Sequence, residues 1–127
     1  MKSVNINTRH EKTDFGDVWY LRASDETFRF AIYRYDDDID TIYLSNVFVS
    51  ENNRGQGYGN VILSSTEKIA KKMMASSICL KVKKGSFAHQ WYKRHGYHNL
   101  TNDDKEPNYI WMKKIIKNSG MKTRRQV

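Results

Sequence analysis

Two early stretches of the chain alternate apolar and polar positions with a period of two. Residues 17–24 (Asp-Val-Trp-Tyr-Leu-Arg-Ala-Ser) and 27–35 (Thr-Phe-Arg-Phe-Ala-Ile-Tyr-Arg-Tyr) are rich in β-branched and aromatic types, the makeup of strands. In the second, Phe28, Phe30, Ile32 and Arg34 share one face, and Arg29, Ala31, Tyr33 and Tyr35 share the other. Asp36-Asp37-Asp38 reads as a hairpin turn before a third strand at about 41–50. Short turns link the three, which predicts an antiparallel meander. Only 16 residues precede its first strand.

The third strand slips phase. Ile42 and Leu44 set one face, yet the next aliphatic positions are Val47 and Val49, one step late. An extra residue inside a strand, a β-bulge, produces this slip and is placed at Ser45-Asn46. A strand buried on both faces would blur the phase as well. After it come Arg54-Gly55-Gln56-Gly57-Tyr58-Gly59 and a helix over about 58–75, with Tyr58, Ile62, Thr66, Ile69 and Met73 on one face. Ile78, Leu80 and Val82 mark a strand at 77–83. A short helix follows, capped by Ser86 and closed by Gly96, with Phe87, Trp91 and His95, or Ala88 and Tyr92, along its faces. Strands at about 97–100 and 108–115 finish the fold. The order β-β-β-α-β-α-β-β predicts an α/β domain: a mixed β-sheet with a bulged, splayed central strand and two main helices, over residues 1–115.

Composition narrows the class. In 127 residues, 39% hydrophobic and 13% aromatic content suits one packed core rather than a disordered chain. No apolar run exceeds about three residues, against the ~20 a membrane span needs. The first seven residues lack a secretory apolar stretch, and one cysteine, Cys79, excludes a disulfide framework and the usual multi-cysteine zinc sites. These features predict a cytoplasmic protein with no membrane partner. His89, His95 and His98 fit no zinc spacing, so no metal is expected.

The formal charge of +8 is unevenly placed. Residues 1–53 carry 6 basic and 10 acidic groups; residues 54–94 carry 9 basic groups and one acid, Glu67; residues 113–127 carry 6 basic groups and no acid. A basic middle around a glycine cluster points to a polyanionic ligand. The tail, 116–127, reads as a flexible basic end, with Lys117, Lys122, Arg124 and Arg125 as candidate contacts to nucleic acid.

Three alternate glycines between a strand and a helix let consecutive N–H groups turn into one concavity, and the first helical turn adds unpaired donors. Arg54 adds charge beside them, so the loop is predicted to hold phosphate or pyrophosphate. It is not a Walker loop, because no Lys follows Gly59. It is not a dinucleotide fingerprint either: the spacing is Gly-x-Gly-x-Gly, and no acid lies between Glu67 and Asp103.

The run Val49-Ser50-Glu51-Asn52-Asn53-Arg54-Gly55-Gln56-Gly57-Tyr58-Gly59 resembles the acyl-coenzyme A signature of the GCN5-related N-acetyltransferase (GNAT) superfamily. That signature is a strand-ending Val followed by Arg/Gln-x-x-Gly-x-Gly/Ala opening a helix. Ala88-His89-Gln90-Trp91-Tyr92-Lys93-Arg94-His95-Gly96-Tyr97 resembles the family's Ala-x-x-x-Tyr-x-x-x-Gly-Phe/Tyr, and Tyr109 to Lys114 its closing strand. The likeness covers roughly residues 17–115.

The resemblance implies an acetyl-CoA-dependent N-acetyltransferase acting on a primary amine. Amides of Gly55, Gln56, Gly57, Tyr58 and Gly59, with Arg54, would hold the pyrophosphate. The pantetheine arm would lie in a gap between the bulged strand and the strand at 77–83. Main chain at Phe48 and Val49 would pair with that arm and polarise the thioester carbonyl, and Tyr92 would protonate the departing thiolate. A packing role beside Trp91 is the other reading of Tyr92. Where the family often carries Asn, this chain has Gly85, with Ser86 beside it as a cofactor contact.

No general base stands out. Asp38, Asp40, Glu51 and His89 read as surface groups, leaving water to take the proton. The family's usual helix pair after its first strand has no room, which implies an open acceptor groove for a protein or tRNA, or one completed by a second copy in a homodimer. The competing function is a binding module of the same fold that contacts nucleic acid or an acidic protein without catalysis.

Overall fold

The alternation over 27–35 becomes the centre of a meander in a computed structural model that describes residues 5–116. The strands are β1 (Ile6–Lys12), β2 (Gly16–Ala23), β3 (Phe28–Tyr35) and β4 (Thr41–Val49), then β5 (Ser77–Lys83), β6 (His98–Asn102) and β7 (Tyr109–Ile115). Helix α1 (Tyr58–Lys72) follows β4, and α2 (Phe87–Arg94) follows β5. All seven strands join one mixed sheet in the order β1-β2-β3-β4-β5-β7-β6. Only β4 and β5 pair in parallel, with α1 as their crossover. The α/β class and the two helices expected from the sequence are present.

Strand β1 was not predicted by the pattern. Its residues are mostly exposed, so no apolar alternation marks it; pairing with β2 along its whole length makes it a strand. His10 fastens it, stacking on Trp19 at 5.0 Å and bonding the Asp17 carboxylate at 2.9 Å. That bond is the main reason the Asp17 carboxyl titrates below its ordinary range.

Both helices pack on one face of the sheet. Phe28, Phe30 and Ile32 of β3, Ile42 and Leu44 of β4, and Ile78 and Leu80 of β5 meet Tyr58, Ile62, Leu63 and Ala70 of α1 in one core. The other face has no helix among the described residues. Tyr33, Tyr35, Tyr43 and Trp111 form an aromatic cluster there, with Tyr33 and Tyr43 stacked at 5.1 Å. Ile116, counted with the tail from sequence, is buried, and its N–H bonds the Ser76 carbonyl at 3.0 Å. The candidate contacts Lys117, Lys122, Arg124 and Arg125 lie outside the described residues. No described helix is long and apolar enough to cross a membrane.

Tyr97, just after α2, is buried, and its hydroxyl has no hydrogen-bond partner among the described residues. A buried unpaired hydroxyl destabilises the folded state. Tyr97→Phe is therefore expected to raise stability by about 1 kcal/mol, seen as a higher urea midpoint at unchanged slope. A lower midpoint would show that the hydroxyl contributes favourably.

Candidate active site

The site begins with an extra residue. Along β3 and β4, Arg29 faces Phe48 and Ala31 faces Ser45, so Phe30 alone opposes Asn46 and Val47. Asn46 takes φ +53°, a left-handed conformation that Asn tolerates better than most residues. The phase slip predicted from sequence is thus a bulge. Just ahead of it β4 and β5 part: their ladder comprises Thr41–Ser77, Ile42–Ile78 and Tyr43–Cys79, then stops. The rest of each strand borders a gap within the sheet. Strand edges there carry unpaired N–H and C=O groups, which an extended amide-bearing chain can satisfy as an added strand would.

The ladder also decides which residue faces that gap. Ser50 N–H donates to the Thr27 carbonyl at 2.9 Å. By the antiparallel alternation, Phe48 then exchanges hydrogen bonds with Arg29, whereas Val49 points its main-chain groups away from β3. Of the two residues expected to hold an extended arm, Val49 has the suitable orientation, and Phe48 main chain is committed to β3. The Phe48 ring instead lies on the open face, 38% exposed, under the Arg29 guanidinium at 4.3 Å. Arg54 Nε donates to the Val49 carbonyl at 3.1 Å, folding the loop back onto β4.

A single 3-10 turn, Glu51–Asn53, leads into the glycine loop. Gly55 and Gly57 adopt φ +79° and +88°, conformations that disfavour side-chain-bearing residues. Gly57 caps α1 without a side chain, so the first helical amides, at Tyr58, Gly59 and Asn60, lack an internal partner. They add to the positive end of the helix dipole, the setting in which phosphate binds. The Tyr58 ring is buried against Phe28 at 5.5 Å, leaving its amide as the group that serves the loop. Gln56 Nε2 bonds the Asn52 carbonyl at 3.2 Å. At Gly59 the missing side chain serves packing. A Cβ there would come within 2.9 Å of the Trp91 ring, so its absence lets α2 close against α1.

Helix α2 presents His89, Trp91 and Tyr92 inward. Phe87, expected on the same face as Trp91, is 79% exposed with the Arg94 guanidinium 6.0 Å from its ring centre. His89, expected at the surface, is 6% exposed. It is buried because both ring nitrogens have partners: Nδ1 accepts from Gly85 N–H at 2.9 Å, and Nε2 meets Asn99 Oδ1 at 2.8 Å. With both nitrogens engaged, it is a strut between α2 and β6. Ser86 Oγ accepts from His89 N–H and donates to the Lys83 carbonyl, so a ligand could use only its remaining lone pair. The half-buried Tyr92 packs edge-on against Tyr97 and Trp91. Burial raises its phenol pKa above the ordinary value, which keeps it a proton donor throughout the neutral range.

On the open face a groove of about 830 Å³ runs across β1 to β4, with Tyr20, Arg22, Arg29, Asn46, Val47 and Phe48 in its lining. Asp38, Asp40 and Glu51 do not line it. The Asp38 carboxylate accepts from Tyr43 OH at 3.0 Å, and the Asp40 carbonyl accepts from Ser76 N–H at 2.8 Å. Cys79, on the last rung before the gap, is buried, and burial raises its thiol pKa.

A parted pair of parallel strands, with a bare helix N-terminus at its mouth, defines an acyl-transferase class of fold. The family model described as an acetyltransferase (GNAT) domain matches residues 14–99, and the chain belongs to this family. No curated protein matches the sequence. Solved structures share the fold. A GNAT acetyltransferase of Elizabethkingia anophelis, solved with acetyl-CoA bound, aligns with a TM-score of 0.68 at 16% identity, covering 89% of this chain and 98% of that one. PaiA N-acetyltransferase of Thermoplasma acidophilum, in complex with coenzyme A, gives 0.67 at 18%, covering 78% and 61%. ElaA of Escherichia coli gives 0.65 at 22%, covering 78% and 69%.

The two glycine roles separate by mutation. Gly59→Ala should lower stability by about 1–3 kcal/mol through overpacking against Trp91, although Ala favours helix. Combined with Trp91→Leu, it should add almost no further loss. Gly55→Ala meets no atom within 4 Å and should cost only the backbone strain of about 1–2 kcal/mol. Urea denaturation of the four variants measures all three effects.

Proposed function

We propose that this protein transfers the acetyl group of acetyl-CoA to a primary amine. The observation that carries the reading is the coincidence of two unfilled features, the β4–β5 gap and the side-chain-free start of α1. Together they fit a ligand with an extended amide chain at one end and a diphosphate at the other. Amides of the Gly55–Gly59 loop and the first turn of α1 would hold the diphosphate. The Val49 N–H would serve the amide chain, and Arg54 would have to release the Val49 carbonyl for that group to serve as well.

The thioester supplies an activated acetyl carbon. An amine entering from the open face forms the new C–N bond, the C–S bond breaks, and Tyr92 OH gives its proton to the departing sulfur. The surplus proton of the amine passes to water, because no described carboxylate or free imidazole lines the groove, and water returns a proton to the Tyr92 phenolate before the next cycle. Orientation of the amine then supplies much of the rate. The protein is read as cytoplasmic, and a second copy in a homodimer is one means of covering the open face. A purely nucleic-acid-binding module would leave the gap and the bare helix start without an occupant, so catalysis is the favoured reading.

Isothermal titration should show acetyl-CoA binding, and Gly57→Glu should abolish it by placing a carboxylate in the anion site. Unchanged affinity in that variant would reject the site. Tyr92→Phe should lower kcat by roughly 100-fold with acetyl-CoA affinity retained. Because burial raises the Tyr92 pKa, its acid form should cause no fall in rate between pH 7 and about 10. An alkaline limb below pH 9 that vanishes in the Phe variant would contradict this assignment.

A further inference from the structure

The register of the sheet sets Arg22 of β2 directly opposite Arg29 of β3, side chains together on the open face. Like charges in directly opposed positions destabilise a sheet. Acids neutralise five of the seven other strand cations, all but Lys83 and Lys113: Arg9 pairs with Glu11, Lys12 with Asp36, Arg34 with Asp17, Lys81 with Glu106 and Lys114 with Glu67. Neither Arg22 nor Arg29 has an acid within ion-pair distance among the described residues. Both line the 830 Å³ groove, and its lining contains no acidic residue. Arg29 is also preset: its guanidinium lies over the Phe48 ring, an arrangement that fixes the plane while leaving edge N–H groups for a fork-like contact.

We propose that the acceptor is an amine carrying an anionic group, carboxylate or phosphate, and that Arg22 and Arg29 hold that group. This rests on the acetyl-transfer reading above. Adjacent strands lie about 4.8 Å apart, so the two arginines stand one and two strands from the bulged β4. The anion would therefore sit about 5–10 Å from the line of β4, a span that three or four methylenes between amine and anion fill. Asn7, opposite Arg22, and Tyr20 add neutral polar groups to the same wall. The same field disfavours acceptors with a second cationic end.

Four amines of similar length test the inference through release of the coenzyme A thiol: butylamine, 1,4-diaminobutane, 4-aminobutanoate and 3-aminopropylphosphonate. The two anionic amines should exceed butylamine in kcat/KM by at least about tenfold, one charge-assisted contact's worth, with the diamine poorest. The better of the two anions identifies carboxylate or phosphate as the source. Arg22→Gln and Arg29→Gln should each cut the anionic-to-neutral ratio about tenfold. Butylamine or the diamine matching the anions, or variants that leave the ratio unchanged, would overturn the proposal. If acetyl-CoA binds but no amine is acetylated, the transfer reading fails separately. The anion site is then decided by the arginine Nε–H resonances: 3-aminopropylphosphonate should shift those of Arg22 and Arg29, and unmoved signals would overturn it.

Discussion

Parallel strands joined by a helical crossover ordinarily pair along their common length, and here pairing ends at the Tyr43–Cys79 rung. The cause lies one strand away. Two residues of β4, Asn46 and Val47, oppose the single Phe30 of β3, and a bulge of this kind bends its own strand and increases its twist. Strand β4 must keep its partner on one side, so it leaves the one on the other. Strand β5 is tied on its other side to β7, which pairs with it from Ser77 to Lys83. The sheet is thus held firmly on both flanks of an internal opening, which a ligand can occupy without unfolding anything.

Much of this was legible in the order of residues alone. The return of an aliphatic residue at Val49, out of phase with Ile42 and Leu44, announces the bulge, since a buried face cannot shift by one residue without an extra residue to absorb the change; Val47, the other displaced position, is 42% exposed at the bulge itself. The glycine run announces the bare helix start, because an N-cap without a side chain leaves donors free. Other features escaped for physical reasons. Strand β1 has no apolar face of its own and exists through pairing with β2, a non-local cause that a local pattern does not carry. His89 looked like a surface residue because imidazole is polar; its burial depends on Asn99, ten residues on and in another element. The separate duties of Phe48 and Val49 depend on which pairs of the β3–β4 ladder exchange hydrogen bonds. Adjacency of Arg22 and Arg29 likewise needs the hairpin register, although Asp25-Glu26 between the two strands already read as a short turn.

The two faces of the sheet divide the work. One receives both helices and the aliphatic side chains, and there Gly59 permits a contact with Trp91 too close for any larger residue. The other keeps a stacked aromatic cluster at the paired end of β4 and β5, with arginines toward the bulge. Rigid packing on the first face positions the glycine loop and Tyr92, while the second stays accessible to a molecule arriving from solvent. The bulged strand is shared by both, so the extended-ligand gap and the charged groove meet at β4.

Cys79 closes the last rung before the opening. It is the one cysteine of the chain, and an accessible thiolate beside an opening in a sheet would be exposed to oxidation and alkylation. Burial raises the pKa of that sulfur and so disfavours its thiolate, which leaves thiol chemistry suppressed at the rung where the sheet divides.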